Sequence, residues 1–258
     1  MIAAHGRIDT DSLRLIWSEA PWDTVVFDYP VLQITDIEIR GSSAPSDFRA
    51  FENLRTEAGC GLVSCRLACA KLNESMFLES CGFRFVEMLY EPELLNLQNQ
   101  RFPDDQGLDV SLALEEDLPD LIGMAGTSFG NERFHVDPRL PQPLANLRYQ
   151  NWVRSSFTHP LQRLHVLRDG EKRVAFFVIE MRRDGTCYWH LNAVAPEAQG
   201  QGYGRRAWRA MIRQAQQSGA ERVRTSIVAR NHRVLNLYAR LGFSFPVPLM
   251  TFHWVSSE

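Results

Sequence analysis

Residues Asn192-Ala-Val-Ala-Pro-Glu-Ala-Gln199-Gly-Gln-Gly-Tyr-Gly204 join an apolar, aromatic stretch to an amphipathic one through Gly200, Gly202 and Gly204. So dense a glycine run between two such flanks predicts a strand, a tight turn and a helix. Glycine lacks a Cβ, so its backbone N–H groups can turn inward around a bound group without steric cost. The first N–H groups of a helix have no internal acceptor and sit at the positive end of its dipole. Together these features make a cradle for phosphate oxygens. An ordinary glycine-rich turn is the alternative.

Two well-known phosphate loops do not fit. A mononucleotide loop needs Lys-Ser/Thr after its last glycine, and none follows Gly204. A dinucleotide loop needs Gly-x-Gly-x-x-Gly and an acidic residue at the end of the next strand, where this chain has Ala229-Arg230-Asn231. Downstream, Ala207, Trp208, Met211, Ile212 and Ala215 recur at helical spacing, so Gly204 to Ser218 reads as a helix closed by Gly219. Val223, Thr225, Ile227 and Ala229 alternate with polar residues as a half-buried strand. A second helix follows from Asn231, with Val234, Leu235, Tyr238 and Leu241 on its apolar face and Gly242-Phe243 at its stop.

The spacing Gln199-Gly-Gln-Gly202-Tyr-Gly204, preceded by Val194-Ala-Pro196, resembles the pyrophosphate loop of the GNAT superfamily of N-acetyltransferases. The run Asn231-x-x-Val234-x-x-Leu237-Tyr238-x-x-x-Gly242-Phe243 is similar to a second hallmark of the same family. The resemblance implies an α/β (α+β) GNAT fold with a mixed central sheet, and acetyl-coenzyme A as cosubstrate. It implies backbone contacts to the pantetheine arm from Asn192, Ala193 and Val194, with a β-bulge there freeing backbone groups. Gln199, Gly200, Gln201, Gly202, Tyr203 and Gly204 would hold the pyrophosphate, and Asn231 would reach the pantetheine arm or simply cap its helix. Tyr238 would protonate the departing thiolate; a packed core aromatic is the other reading.

A base for the amine is harder to read. His190 and Tyr188 alternate with Trp189 and Leu191 along the expected strand, which puts them on one face with Asn192. His190 has a suitable intrinsic pKa, although a lone histidine between Trp189 and Leu191 is more often a packed strand residue. Glu180, near the end of the preceding strand, is a second candidate.

The polar stretch from Leu95 to Gly107 reads as a linker between residues 1–106 and 107–258. In the first half, Gly61 to Ala68 reads as a strand and Lys71 to Glu79 as a helix. Phe77-Leu-Glu-Ser-Cys-Gly82-Phe83-Arg-Phe85 then parallels Leu237-Tyr-Ala-Arg-Leu-Gly242-Phe243-Ser-Phe245 in pattern. No glycine loop precedes this first copy, so it reads as a smaller, degenerate GNAT-like subdomain. That two-part arrangement, with Trp22-Asp-Thr-Val-Val-Phe-Asp-Tyr-Pro30, Ser128-Phe-Gly-Asn-Glu-Arg133-Phe134 and Tyr149-Gln-Asn-Trp152-Val-Arg154, resembles the bacterial dTDP-fucosamine (dTDP-4-amino-4,6-dideoxygalactose) acetyltransferases. The resemblance implies an amine acceptor on a nucleotide-linked sugar. A protein, peptide or other small amine is the alternative acceptor, and a non-catalytic acyl-coenzyme A binding module the alternative role. Arg133, Arg139, Arg148, Arg154 and Arg163, interleaved with aromatics, could bind the acceptor's diphosphate or form the solvated face of a helix.

Composition excludes several other classes. A net charge of −3 gives no electrostatic reason to expect nucleic acid. No apolar run approaches the roughly 20 residues that span a bilayer. Arg7, Asp9, Asp11 and Arg14 interrupt the start, so no signal peptide is read there, and a cytoplasmic location is expected. Cys60, Cys65, Cys69, Cys81 and Cys187 lack metal-site spacing and read as reduced thiols, so no metal is expected. The C-terminal stretch Leu249 to Val255 reads as a strand able to pair across a homodimer.

Overall fold

The computed structural model describes residues 5–102 and 107–256. In chain order the strands are β1 (His5–Asp9), β2 (Leu13–Glu19), β3 (Val31–Ile39), β4 (Leu62–Ala68), β5 (Arg84–Tyr90), β6 (Glu93–Leu94), β7 (Asp109–Leu112), β8 (Gln162–Asp169), β9 (Lys172–Met181), β10 (Thr186–Val194), β11 (Arg222–Thr225), β12 (Ile227–Val228) and β13 (Leu249–Val255). The helices are α1 (Pro21–Phe27), α2 (Ala44–Glu57), α3 (Leu72–Ser80), α4 (Leu118–Ser128), α5 (Arg133–Val136), α6 (Gln142–Phe157), α7 (Tyr203–Gln217) and α8 (His232–Arg240).

These elements form two compact units. One comprises Met1–Leu89, Val136–Leu144 and Val247–Glu258; the other comprises Tyr90–His135 and Ala145–Pro246. This division differs from the predicted one at 106/107, a boundary that touches residues 103–106, outside the described residues. The reason lies in strand pairing. β6 pairs with β11, so the second unit already includes residues before the polar stretch. β13, at the other end of the chain, pairs antiparallel with β4 on one edge and β5 on the other, completing the first unit. With both edges taken, this strand cannot pair across a dimer as predicted.

In the first unit the strand order is β1-β2-β3-β4-β13-β5. Its core gathers Leu13, Leu15, Phe48, Phe51, Leu78 and Phe252, all but fully buried. Residues 136–144 are pinned to β13 through Asp137, which accepts from His253 Nδ1 at 2.9 Å and from Arg139 Nε and Nη2 at 2.9 and 2.8 Å. Burial would raise the Asp137 carboxyl, but these donors hold it well below the usual carboxylate range. Arg139, one of the arginines that could have bound the acceptor or formed a solvated face, is therefore committed to Asp137 inside the first unit.

In the second unit the order is β6-β11-β10-β9-β8-β7, with β10 antiparallel to β9 and parallel to β11. Phe129, just after α4, packs on Phe176, and Trp152 of α6 lies near His190, so these helices cover one face. Trp208 of α7 packs on Phe177, and Phe243 after α8 on Trp189, covering the other. Burial of this unit's apolar side chains on both faces of β9 and β10 supplies its main driving force.

The two units share a strand register, which gives the repeated sequence pattern a structural form. In the second unit β10 pairs in parallel with β11 from Thr186↔Arg222 to Trp189↔Thr225, and the next residue, His190, bulges out of the β9 ladder. In the first unit β3 pairs in parallel with β4 from Val31↔Leu62 to Ile34↔Cys65, and the next residue, Thr35, bulges out of the β2 ladder. Each pair of strands is followed by a helix and Gly-Phe, at Gly82-Phe83 and Gly242-Phe243. The chain is thus a mixed α/β protein whose two units repeat one arrangement of parallel strand pair, bulge, helix and Gly-Phe.

Candidate active site

The glycine loop leaves β10 at Ala195, makes a short turn at Pro196–Ala198 and enters α7 at Tyr203. Gly200 and Gly202 have φ of +79° and +84°, the left-handed region that side chains rarely adopt, and a Cβ at either would meet open space. Gly202 is the helix N-cap without any capping side chain, and no acidic residue lies in the first turn. The N–H groups of Gly200, Gln201, Gly202, Tyr203 and Gly204 have no acceptor among the described residues. Gln199 departs from expectation: its own N–H bonds to the Pro196 carbonyl. Its side chain donates to the Val194 carbonyl at 3.1 Å, and that of Gln201 to the Glu197 carbonyl at 2.6 Å, bracing the loop. Tyr203 and Arg206 both donate to Asp169 at the end of β8, at 2.8 and 3.0 Å, anchoring the first turn of α7.

Beyond Trp189, β10 and β11 no longer pair. Asn192, Ala193 and Val194 are bonded to β9 opposite Phe177, Phe176 and Ala175, while their β11 side has no strand partner. Thr225 Oγ1 marks the point of divergence by donating to the Trp189 carbonyl at 2.9 Å. The backbone edge expected for pantetheine is therefore present, but the bulge that accompanies it falls at His190 rather than within Asn192–Val194.

That bulge corrects a second expectation. Opposite residues in an antiparallel pair share a face, and one extra residue reverses the alternation beyond it. Tyr188 lies opposite Glu180, and His190 bonds to Glu180, so these three share the α4/α6 face. Asn192 lies opposite Phe177, whose ring packs on Trp208, so it points to the α7/α8 face. His190 and Asn192 do not share a face as simple alternation predicts.

On the α7/α8 face, the Tyr238 hydroxyl meets Trp208, Thr225 and Asn192. Tyr238 is 1% exposed, and burial pushes its pKa up to about 12 despite these polar neighbours. The Trp208 indole N–H lies near this hydroxyl without hydrogen-bond geometry to any acceptor. Thr225 had not stood out in the sequence; its signal was a lone hydroxyl in the buried register of Val223 and Ile227. Asn231 caps α8, its Oδ1 accepting from Val234 N at 3.4 Å.

On the α4/α6 face, His190 Nε2 lies 2.8 Å from Glu180 Oε2, joining the two candidate bases in one pair. Burial lowers the imidazole pKa, and Glu180 only partly restores it. At neutral pH the ring is therefore poised to accept a proton. The acid-like and base-like groups stand on opposite faces of β10. They can serve one reaction only at its unpaired edge.

The same positions in the first unit are apolar. By register and by distance from Gly-Phe, Ile37, Cys65 and Leu78 stand where the second unit has Asn192, Thr225 and Tyr238, and all three are buried. The turn from β3 to α2 is only Arg40-Gly-Ser-Ser43. Among the described residues no three His, Cys, Asp or Glu side chains could hold a metal ion. No helix among them is long and apolar enough to cross a membrane.

Residues 132–243 match the Acetyltransferase (GNAT) family. A 143-residue stretch, 55% of this chain, is 24% identical to the spore coat polysaccharide biosynthesis protein SpsD of Bacillus subtilis (strain 168). It spans only about half (49%) of that relative. A conserved protein of unknown function from Staphylococcus epidermidis ATCC 12228 has a similar structure, with a TM-score of 0.70 at 14% identity over 98% of this chain and 94% of its own. A GCN5-related N-acetyltransferase from Sphaerobacter thermophilus gives 0.63 at 13% identity over 95% and 81%. At such identities the two structures speak for the fold. The family match covers β10, the glycine cradle and Tyr238, so this part of the chain is similar to the Acetyltransferase (GNAT) family.

Proposed function

We propose that this chain transfers an acetyl group from acetyl-coenzyme A to a primary amine. The observation that carries the reading is the unpaired edge of β10, running from the Tyr238 hydroxyl toward the glycine cradle. Bound there, acetyl-coenzyme A would supply the activated acyl group. Gly200, Gln201, Gly202, Tyr203 and Gly204 would hold its pyrophosphate by backbone N–H groups. The free backbone of Asn192–Val194 would align the pantetheine arm, and an N–H near Val194 would polarise the thioester carbonyl. His190, oriented by Glu180, would accept the amine proton, and Tyr238 would donate one to the sulfur. Asn231 caps α8, which carries Tyr238, and would reach the pantetheine arm from that position.

For the acceptor, the reading is an amino group on a nucleotide-linked sugar. It is supported by the motif resemblance to dTDP-fucosamine acetyltransferases and by a relative named for polysaccharide biosynthesis. The first unit, its corresponding positions apolar, would serve the fold rather than a second coenzyme. The reading is tested by free-thiol release from acetyl-coenzyme A with dTDP- and UDP-amino sugars, peptides and simple amines. Release dependent on a nucleotide amino sugar is expected. Binding of the coenzyme without thiol release for any amine would leave a non-catalytic binding module instead.

The His190–Glu180 pair adds a pH prediction. A base works in its neutral form, so activity is lost as pH falls through the imidazole pKa, which burial places below the ordinary 6.5. The acid limb of kcat should lie below the usual histidine range. Glu180 raises that pKa, so Glu180→Gln should move the limb to still lower pH. His190→Gln should abolish the limb and cut kcat by about a hundredfold or more. An unchanged limb in both variants, measured at saturating acceptor, assigns the titration to another group.

A further inference from the structure

Just beyond β9, Arg182 follows Glu180 by two residues, and its backbone N–H continues the ladder to the Thr186 carbonyl at 2.8 Å. Its side chain therefore leaves the same face as Glu180. The guanidinium carbon lies 4.0 Å from the centroid of the Tyr188 ring. That ring in turn lies 4.8 Å from the His190 ring, which bonds to Glu180. Arg182, Tyr188, His190 and Glu180 thus form one continuous row, with Trp152 of α6 6.3 Å from the imidazole.

The other charged side chains of this row and its neighbouring strand have ionic partners within 4 Å. Arg224, beside Tyr188 in the sheet, has Glu91 at 3.7 Å and Glu93 at 4.0 Å. Arg222 has Glu221 at 3.7 Å, and Glu180 is engaged by His190. Arg182 differs. It is half-buried and set against the Tyr188 ring, yet has no ion-pair partner among the described residues. A guanidinium held against a ring loses part of its freedom before a ligand arrives, and its fork of N–H donors suits the two oxygens of a phosphate or carboxylate.

We propose that Arg182 grips an oxyanion carried by the acceptor, so that the site selects anionic amines and presents them to His190. This rests on the acyl-transfer reading and goes beyond it by naming the group that the acceptor must carry. Contact with the Tyr188 ring restrains the guanidinium, and the row places it one aromatic ring away from the base. An oxyanion there anchors the acceptor with its amine free to reach the unpaired edge of β10.

Steady-state kinetics on the full chain would use glucosamine 1-phosphate, an amino acid with a free carboxylate, and neutral glucosamine, each at saturating acetyl-coenzyme A. The wild type is expected to favour one of the anionic amines over glucosamine in kcat/KM. The preferred amine identifies phosphate or carboxylate as the oxyanion. Arg182→Gln should shrink that ratio by about tenfold or more, the size of a lost charge-assisted hydrogen bond, with KM for acetyl-coenzyme A unchanged. A wild-type preference for glucosamine overturns the proposal while leaving acyl transfer intact, as does an unchanged ratio in the variant. Failure of every amine to release thiol removes the acyl-transfer reading and this proposal with it.

Discussion

Replacing Gly202 with Asp is expected to raise KM for acetyl-coenzyme A by about a hundredfold or more with little loss of stability, a change of roughly 2.7 kcal/mol in binding. The two halves of this expectation have separate causes. At φ +84° any side chain costs about 1–2 kcal/mol, but Asp tolerates that region better than most, and its Cβ would meet no atom within 4 Å. Gly202 is also the N-cap of α7, where an Asp carboxylate can accept from the first-turn N–H groups and return about 1 kcal/mol of helix stability. Those N–H groups are the ones assigned to the pyrophosphate, so capping and coenzyme compete for the same donors. The added charge does more: at about 5 Å and an effective dielectric near 20, like charges repel by about 3 kcal/mol. Gly202→Asn caps equally well without the charge and should cost the smaller share of affinity. Coenzyme titration and thermal melting of both variants separate these contributions. Equal KM values for Asp and Asn would mean that no phosphate sits at this helix end.

Local patterning made the cradle and its helices legible. Three glycines at i, i+2 and i+4 between an apolar strand and an amphipathic helix leave the backbone few choices. Asn231 ahead of Val234 and Leu235 is a local cap signal, and the structure shows the cap. What escaped depends on pairing between distant segments. Nothing near His190, neither glycine nor proline, announces a bulge; it exists because β9 and β10 slip by one residue between Trp189 and Leu191. Simple alternation consequently put Asn192 on the wrong face. The contact between His190 and Glu180 needs the same register, so the sequence offered two separate candidates where the structure holds a pair. β13 was read correctly as a strand, but its place between β4 and β5 joins residues more than 150 positions apart and has no local signature. Arginines 133 to 163 looked like one cluster because they are close in sequence. Arg139 is locked onto Asp137 in the first unit, while Arg154 bonds its own helix neighbour Asn151 at 2.5 Å.

Tyr238→Phe should lower kcat by about ten- to a thousand-fold, the range expected when a proton donor is removed, and leave KM for acetyl-coenzyme A nearly unchanged. Affinity survives because the cradle and the β10 backbone, not this hydroxyl, are assigned to the coenzyme. Protonation state is not an obstacle: with a pKa near 12 the phenol keeps its proton throughout the working range, so any alkaline limb below about pH 10 belongs to another group. The stability cost should be modest. Thr225 still has the Trp189 carbonyl, and losing one buried hydrogen-bonding group costs about 1–3 kcal/mol. Thr225→Val supplies the matching control, because it alters the surroundings of the hydroxyl but keeps the hydroxyl itself. If Tyr238 were only a core aromatic, the two variants would lose stability alike and both would keep turnover. If it is the acid, turnover falls mainly in Tyr238→Phe. The first unit shows what a purely packing residue looks like at this position: Leu78, four residues before Gly-Phe and fully buried, with Ile37 and Cys65 where Tyr238 has Asn192 and Thr225. A core needs no phenol there. Near-wild-type turnover of a well-folded Tyr238→Phe enzyme would return this side chain to that structural role.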